Sequence, residues 1–148
     1  MRVTWDGLAI AEDPPTGTVI AVVRRRTERH EWLVLHRAHG GPDYHGDWAW
    51  GAPSGCRQPG EAVEVCARRE LREETGLDLV PALVLDDEDW PVFLIVAAPD
   101  AEVRLSAEHD AYRWVDLAAA LAMIRPGTVA EQVRRAAELF DAAQSSMA

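Results

Sequence analysis

Apolar and polar positions alternate along the chain in short runs divided by glycine, proline and charge, and the period of each run predicts its element. Residues 18–23 (TVIAVV) are continuously apolar and β-branched, the pattern of a strand buried on both faces, and the triplet Arg24-Arg25-Arg26 reads as a solvated turn at its end. Residues 32–36 (WLVLH) follow at hairpin distance. A glycine-rich loop over 38–46 leads to Trp48-Ala49-Trp50, whose alternation suits a short strand. The two prolines and two glycines of 52–60 predict a loop. Strands are expected over 79–85 and 90–97, separated by the acidic turn 86–89, and two shorter ones over 103–105 and 112–115. Asp116 is placed to cap an alanine-rich helix that must stop before Pro126. Thr128 and Glu131 have capping-box spacing ahead of a last helix with Val129, Val133, Ala136 and Phe140 on its buried stripe. Strands, a helix, more strands and two helices predict an α/β domain with a mixed sheet between helices.

The helix expected over 61–75, closed by Gly76, breaks its own pattern. Its apolar stripe runs from Val63 through Cys66 and Ala67, and the next two positions on that face are Glu70 and Glu74. At about 100° per residue, Glu73 lies beside them. Three carboxylates on a face turned toward the fold repel one another and are costly to desolvate. Pairing with Arg68, Arg69 and Arg72 would make this a solvated acidic helix end, but that leaves the interruption of the buried stripe unexplained. A hard divalent cation, Mg²⁺ or Mn²⁺, accounts for it, because such ions take carboxylate oxygens and cancel their repulsion.

Length and composition narrow the classes. The 148 residues suit one domain spanning the chain, 1–148, and a net charge of -10 argues against a nucleic-acid polymer or an anionic membrane as the main partner. There is no lysine, which excludes Schiff-base chemistry and a P-loop lysine. Cys56 and Cys66 match no zinc or redox spacing. The start of the chain lacks the pattern of a signal peptide, and the longest apolar run, 92–98, is far below the ~20 residues of a membrane helix. A soluble, cytoplasmic protein is expected.

From Gly55 to Leu77 the sequence reads GCRQPGEAVEVCARRELREETGL. A glycine loop entering a helix lets backbone approach a phosphate and presents free N–H groups. The fixed positions Gly55, Glu61, Arg69, Glu70, Leu71, Glu73, Glu74, Gly76 and Leu77 fill the whole of the Nudix box, and the chain resembles a Nudix hydrolase. The resemblance implies an α/β/α sandwich with a mixed sheet and Mg²⁺-dependent cleavage of a pyrophosphate in a nucleoside diphosphate linked to another moiety. By the same motif the resemblance implies that Glu70, Glu73 and Glu74 are metal ligands, that Arg69 orients a glutamate, and that Glu61 supports the loop or the outer metal shell. Many relatives carry two glycines after the proline, whereas this chain has Pro53-Ser54-Gly55, a departure that bears on loop shape.

Residues 106–115 (SAEHDAYRWV) resemble a Glu-His…Tyr-x-Trp segment of several Nudix subfamilies, in which the glutamate reaches the metal cluster. Glu108 is therefore expected as a metal ligand or general base, ahead of Glu74 as base. The turn 86–89 is the competing source of that carboxylate, and Asp110 a weaker one. Arg37 at a strand end is a candidate phosphate clamp, although a solvated strand-end arginine is the equal alternative. His36, His39 and His45 have no metal-ligand spacing and read as loop histidines meeting substrate or solvent. The six tryptophans are mostly core, with Trp48 and Trp50 allowed to stack on a base.

Three function classes follow: a metal-dependent hydrolase, a non-catalytic nucleotide-sensing or partner-binding Nudix-like domain, and a structural acidic domain. The complete box favours the first, with two or more Mg²⁺ ions bridging carboxylates and phosphate. A nucleotide-type small molecule is the expected partner, of nucleoside triphosphate, dinucleoside polyphosphate or dihydroneopterin triphosphate type. Base, leaving group and oligomeric state are left open.

Overall fold

β1 (Gly17–Arg26) is the axis on which the sheet is assembled. It pairs antiparallel with β2 (Arg29–Arg37) across a tight hairpin and parallel with β6 (Val92–Ala97) on its other side. β3 (Trp50–Gly51) and β7 (His109–Val115) both pair with β2, β4 (Ser54–Cys56) pairs with the start of β1, and β5 (Ala82–Leu85) closes the far edge against β6. The computed structural model describes residues 2–4 and 6–146. Trp5, one of the six tryptophans, and the two ends of the expected 1–148 domain lie outside the described residues.

The continuous apolar run of β1 is explained by its two neighbours. Val19, Ala21 and Val23 point to one side, where they pack with Trp32 and Val34 of β2 against α2 (Leu117–Met123) and α3 (Gly127–Ser146). Ile20 and Val22 point to the other side, where Leu33, Leu35, Phe93 and Ile95 meet Ala67 and Leu71 of α1 (Val63–Thr75). The result is the expected α/β/α sandwich around a seven-stranded mixed sheet. α1 stops at Gly76, whose φ of 77° lets its N–H reach the Arg72 carbonyl at 2.9 Å. α2 begins on the Asp116 carboxylate, which accepts from the Ala119 N–H at 2.8 Å.

Several local expectations are corrected. The stretch 52–60 is not all loop: Ser54–Cys56 adds a three-residue strand to β1, because the exposed edge at Gly17–Val19 offers backbone partners. Residues 103–105 form no strand. Val103 is buried and Leu105 packs beside it under α1, so their apolar character serves the core. β5 starts only at Ala82, leaving Leu79 and Val80 exposed. Trp48 has a left-handed φ of 68° and lies outside the short strand, which begins at Trp50. α3 begins at Gly127, so Thr128 sits inside its first turn and Glu131 pairs with Arg134 instead of completing a capping box.

Arg57 fastens the N-terminal residues to this frame. It is 5% exposed and donates to the carbonyls of Pro15 (3.0 Å), Asp13 (2.7 Å) and Glu61 (2.9 Å). Arg57→Ala would remove the one donor shared by three partly buried or exposed carbonyls, and a loss of about 1–3 kcal/mol in urea denaturation is expected. Arg68→Ala, which removes only an exposed pair with Asp78, should stay within about 0.5 kcal/mol of wild type.

Candidate active site

The second half of α1 places its carboxylates in three different environments. Glu74 continues the buried stripe and is 4% exposed beneath β4. The Glu70 side chain is 12% exposed, and Glu73, at 55%, faces solvent beside them. One cation serves three glutamates. Arg69 grips Glu61 with Nε at 2.7 Å and Nη2 at 3.0 Å, reaches Glu70 with Nη1 at 2.8 Å, and touches Glu73 at 3.3 Å. Its Nη2 also donates to the Cys56 carbonyl at 3.1 Å, which ties β4 to the helix. Arg69 thus orients Glu70, and Glu61 anchors that arginine to the loop.

β4 approaches the helix closely at Gly55. A Cβ there would lie 2.0 Å from the Glu70 carboxyl carbon, so a glycine is required where the strand passes over that carboxylate. The neighbouring Ser54 N–H donates to both Glu74 oxygens at 3.3 Å. That contact falls on the position that departs from the two-glycine pattern, and it uses the Ser54 backbone and not its side chain.

The balance of charge is negative. Burial pushes the Glu70 carboxyl up to about 7, against the pull of Arg69 and with further repulsion from Glu73 and Glu108. Burial raises Glu74 well above the ordinary carboxylate range, and Glu70 and Glu108 repel it further. Two desolvated carboxylates, of which Glu70 alone is paired with a cation, fit a hard divalent ion, and Gly55 leaves the room above Glu70. Among the described residues no three His, Cys, Asp or Glu side chains already converge at ion-binding geometry. Glu70 is turned to Arg69 and Glu74 to Ser54, so ligation requires these carboxylates to rotate.

The carboxylates open onto a cavity of about 900 Å³. Glu108 reaches it from the turn before β7, where its carbonyl accepts the Ala38 N–H at 2.9 Å, and its carboxylate is close enough to raise both buried glutamates. Arg37, exposed at the end of β2, lines the same cavity. The competing turn 86–89 does not: Asp87 accepts from the N–H groups of Asp89 and Trp90, and Asp89 accepts from Thr16. Asp110 is held by His36.

The two tryptophans separate. Trp50 borders the cavity but is only 6% exposed, its ring stacked on His45 and its Nε1 donating to His45 Nδ1 at 3.2 Å. Trp48 is 55% exposed and lines the cavity, so it offers the free ring face. His36 corrects another expectation, since it is 1% exposed and meets neither solvent nor cavity. Two lining residues were not anticipated. Asp6 stands beside Glu70, Glu73 and Glu74 from the N-terminal segment, and no local pattern marked it. His109 has a buried Nδ1 without a protein partner, and burial with the nearby Arg37 charge lowers its pKa to about 4, keeping the ring neutral.

Residues 14–138 match the family model for the NUDIX domain. The chain belongs to the NUDIX domain family. It is 37% identical over 147 residues to an octanoyltransferase of Myxococcus xanthus, a match covering 89% of this chain and 40% of that protein. A Sus scrofa asymmetrical bis(5'-nucleosyl)-tetraphosphatase is 35% identical over 101 residues, covering 59% of this chain and 65% of the relative. The chain therefore spans less than two thirds of the length of these relatives. Among solved structures, an Ap4A hydrolase of C. elegans superposes with a TM-score of 0.68 at 19% identity, covering 85% of this chain and 97% of the other, and shares the fold.

Gly55→Ala must displace the Glu70 carboxylate, a flexible chain end, so the protein should fold while its Mn²⁺ affinity falls by about tenfold or more, measured by electron paramagnetic resonance. The metal-free protein should also respond to pH through Glu70. Its folded pKa lies above the unfolded value, so the folded state holds the extra proton and stability falls as pH rises from about 4.5 to about 7. Glu70→Gln should flatten that part of the denaturation-versus-pH curve measured in chelator.

Proposed function

We propose that the protein is a Mg²⁺-dependent hydrolase, with Mn²⁺ as a substitute, that cleaves a pyrophosphate bond in a nucleoside diphosphate linked to another moiety. The observation that supports this most is the pair of desolvated, undercompensated carboxylates, Glu70 and Glu74, at the floor of a cavity large enough for a nucleotide. When bound, the divalent cation supplies Lewis-acid polarisation of phosphate and water and offsets the anionic charge of both site and substrate.

This chain's residues supply the rest. Glu70 and Glu74, with Glu73 and Glu108 at the rim, would hold the cation. Arg69 keeps Glu70 in place by its guanidinium, and Gly55 lets the strand above remain close. Glu108 is exposed at its side chain and anchored at its backbone, which suits a general base that takes a proton from the attacking water. Arg37 and Trp48 both line the cavity, where the guanidinium would contact a phosphate and the ring would stack on a base. An apolar, aromatic end and a phosphate-directed end within one cavity favour a dinucleoside polyphosphate or nucleoside triphosphate as substrate.

Incubation with Mg²⁺ and a panel of diadenosine tetraphosphate, nucleoside triphosphates, ADP-ribose and dihydroneopterin triphosphate should give chelator-sensitive hydrolysis of at least one compound. No turnover of any of them would refute the enzymatic reading. Glu108→Gln should lower kcat by ~10²–10⁴-fold while leaving the thermal midpoint nearly unchanged, since its exposed carboxylate contributes no core packing. Turnover within severalfold of wild type would exclude it as the base. Millimolar Mg²⁺ should raise the thermal midpoint, by about 2.7 kcal/mol of stabilisation at a hundredfold excess over Kd. Glu74→Gln should remove that rise.

A further inference from the structure

His36 belongs to none of the machinery above, yet it is a buried polar side chain with two strong contacts. From β2 it points to the side of the sheet away from α1, between Trp50 and His45, with ring centroids at 4.8 Å and 5.4 Å. Its Nε2 donates to the Tyr44 carbonyl at 2.6 Å and its Nδ1 meets the Asp110 carboxylate at 2.6 Å. Those partners belong to two segments that wall the cavity, the loop before β3 and the start of β7. Tyr44 is the centre of the loop 38–49: its ring packs on Gly40 and Gly46, and its hydroxyl donates to the Asp47 carbonyl at 2.9 Å. The same loop presents Trp48, whose N–H donates to the Arg125 carbonyl at 2.7 Å. Asp110 is two residues beyond Glu108 on β7, and the Glu108 carbonyl receives the Ala38 N–H at the root of that loop.

Resting on the hydrolase reading, we propose that His36 is a positioning residue that locks the nucleotide-side loop 38–49 to β7, the strand that follows Glu108, and so sets substrate affinity without entering the chemical step. No single-donor side chain reproduces this tie, because the Tyr44 carbonyl and the Asp110 carboxylate accept from opposite ends of one ring. The other anchors hold the ends of the loop and His45: the Ala38 N–H on the Glu108 carbonyl, the Arg37 N–H on the Ala49 carbonyl, and Trp50 Nε1 and Arg125 Nη2 on His45, the last at 2.9 Å. Losing the tie frees Tyr44 and Trp48 to wander, a cost that falls on substrate binding.

His36→Phe keeps the ring volume and removes both contacts. Asp110→Ala removes one, and Asp110→Asn preserves an acceptor for His36. With diadenosine tetraphosphate and Mg²⁺, His36→Phe should raise KM about tenfold with kcat within about threefold of wild type. Asp110→Ala should show a smaller rise, restored toward wild type in Asp110→Asn. Amide exchange should accelerate over 38–49 and stay unchanged in α1, and Mn²⁺ affinity should be unaltered. A folded His36→Phe with wild-type KM and unchanged exchange over 38–49 would overturn the proposal. So would a fall in kcat at constant KM, or faster exchange spread equally into α1. If the wild-type protein leaves diadenosine tetraphosphate intact but binds Mn²⁺, the substrate reading fails, and local exchange in His36→Phe still decides whether the tie exists. Unchanged exchange there overturns it independently.

Discussion

One guanidinium holds the functional half of this molecule together. Arg69 is the sole cationic partner recorded for Glu61, Glu70 and Glu73 among the described residues, and it also binds the Cys56 carbonyl. By spending its strongest contact on Glu61, it locks the segment before α1 onto the helix. By reaching Glu70 with the remaining nitrogen, it fixes one carboxylate and leaves the next, Glu74, with only a backbone N–H. The charge deficit is therefore built into the geometry. A buried site with more anion than cation is expensive unless its groups are protonated or a cation arrives, and the raised pKa values of Glu70 and Glu74 are the metal-free resolution of that conflict.

The sheet makes this arrangement possible by giving its central strand two different tasks. β1 buries one set of side chains under α1 and the other under α2 and α3, so the helix bearing the carboxylates rests on a rigid floor. At its start the same strand recruits β4, which brings Gly55 over Glu70 and the Ser54 N–H to Glu74. β2 and β7 then carry Arg37 and the Glu108 segment to the opposite rim, with register partners Arg37 and His109 side by side. The apolar end of the cavity depends on irregular chain between β2 and β3, pinned from beneath by His36.

The periodic elements and the acidic turn of the buried stripe of α1 were legible in the sequence, since a core face that ends in carboxylates violates its own pattern. Glu108 was also legible, through its surrounding segment, and it does reach the cavity. The misses have physical causes. Ser54–Cys56 pairs with an edge that only the folded sheet creates, so its glycine and flanking prolines read as loop. Val103 and Leu105 are apolar because α1 covers them, and no strand pairing is involved. Trp50 and Trp48 look equivalent in sequence, but the left-handed turn at Trp48 leaves its ring outside while Trp50 joins the core. His36 reads as a histidine meeting substrate or solvent, but it is buried, because its partners at 44 and 110 come from distant segments that no local spacing announces. Asp6 reaches the carboxylates across the same kind of distance.

Burial with too little cationic charge raises the Glu70 and Glu74 carboxyls toward their protonated forms, and a bound divalent cation would draw those protons off. Isothermal calorimetry of Mn²⁺ binding, repeated in buffers of different ionisation enthalpy, counts those protons directly. Saturable binding should release protons at pH 6 and fewer at pH 8, where Glu70, with its pKa of about 7, is already ionised. Binding without proton release at pH 6, or no saturable binding at either pH, would contradict the account.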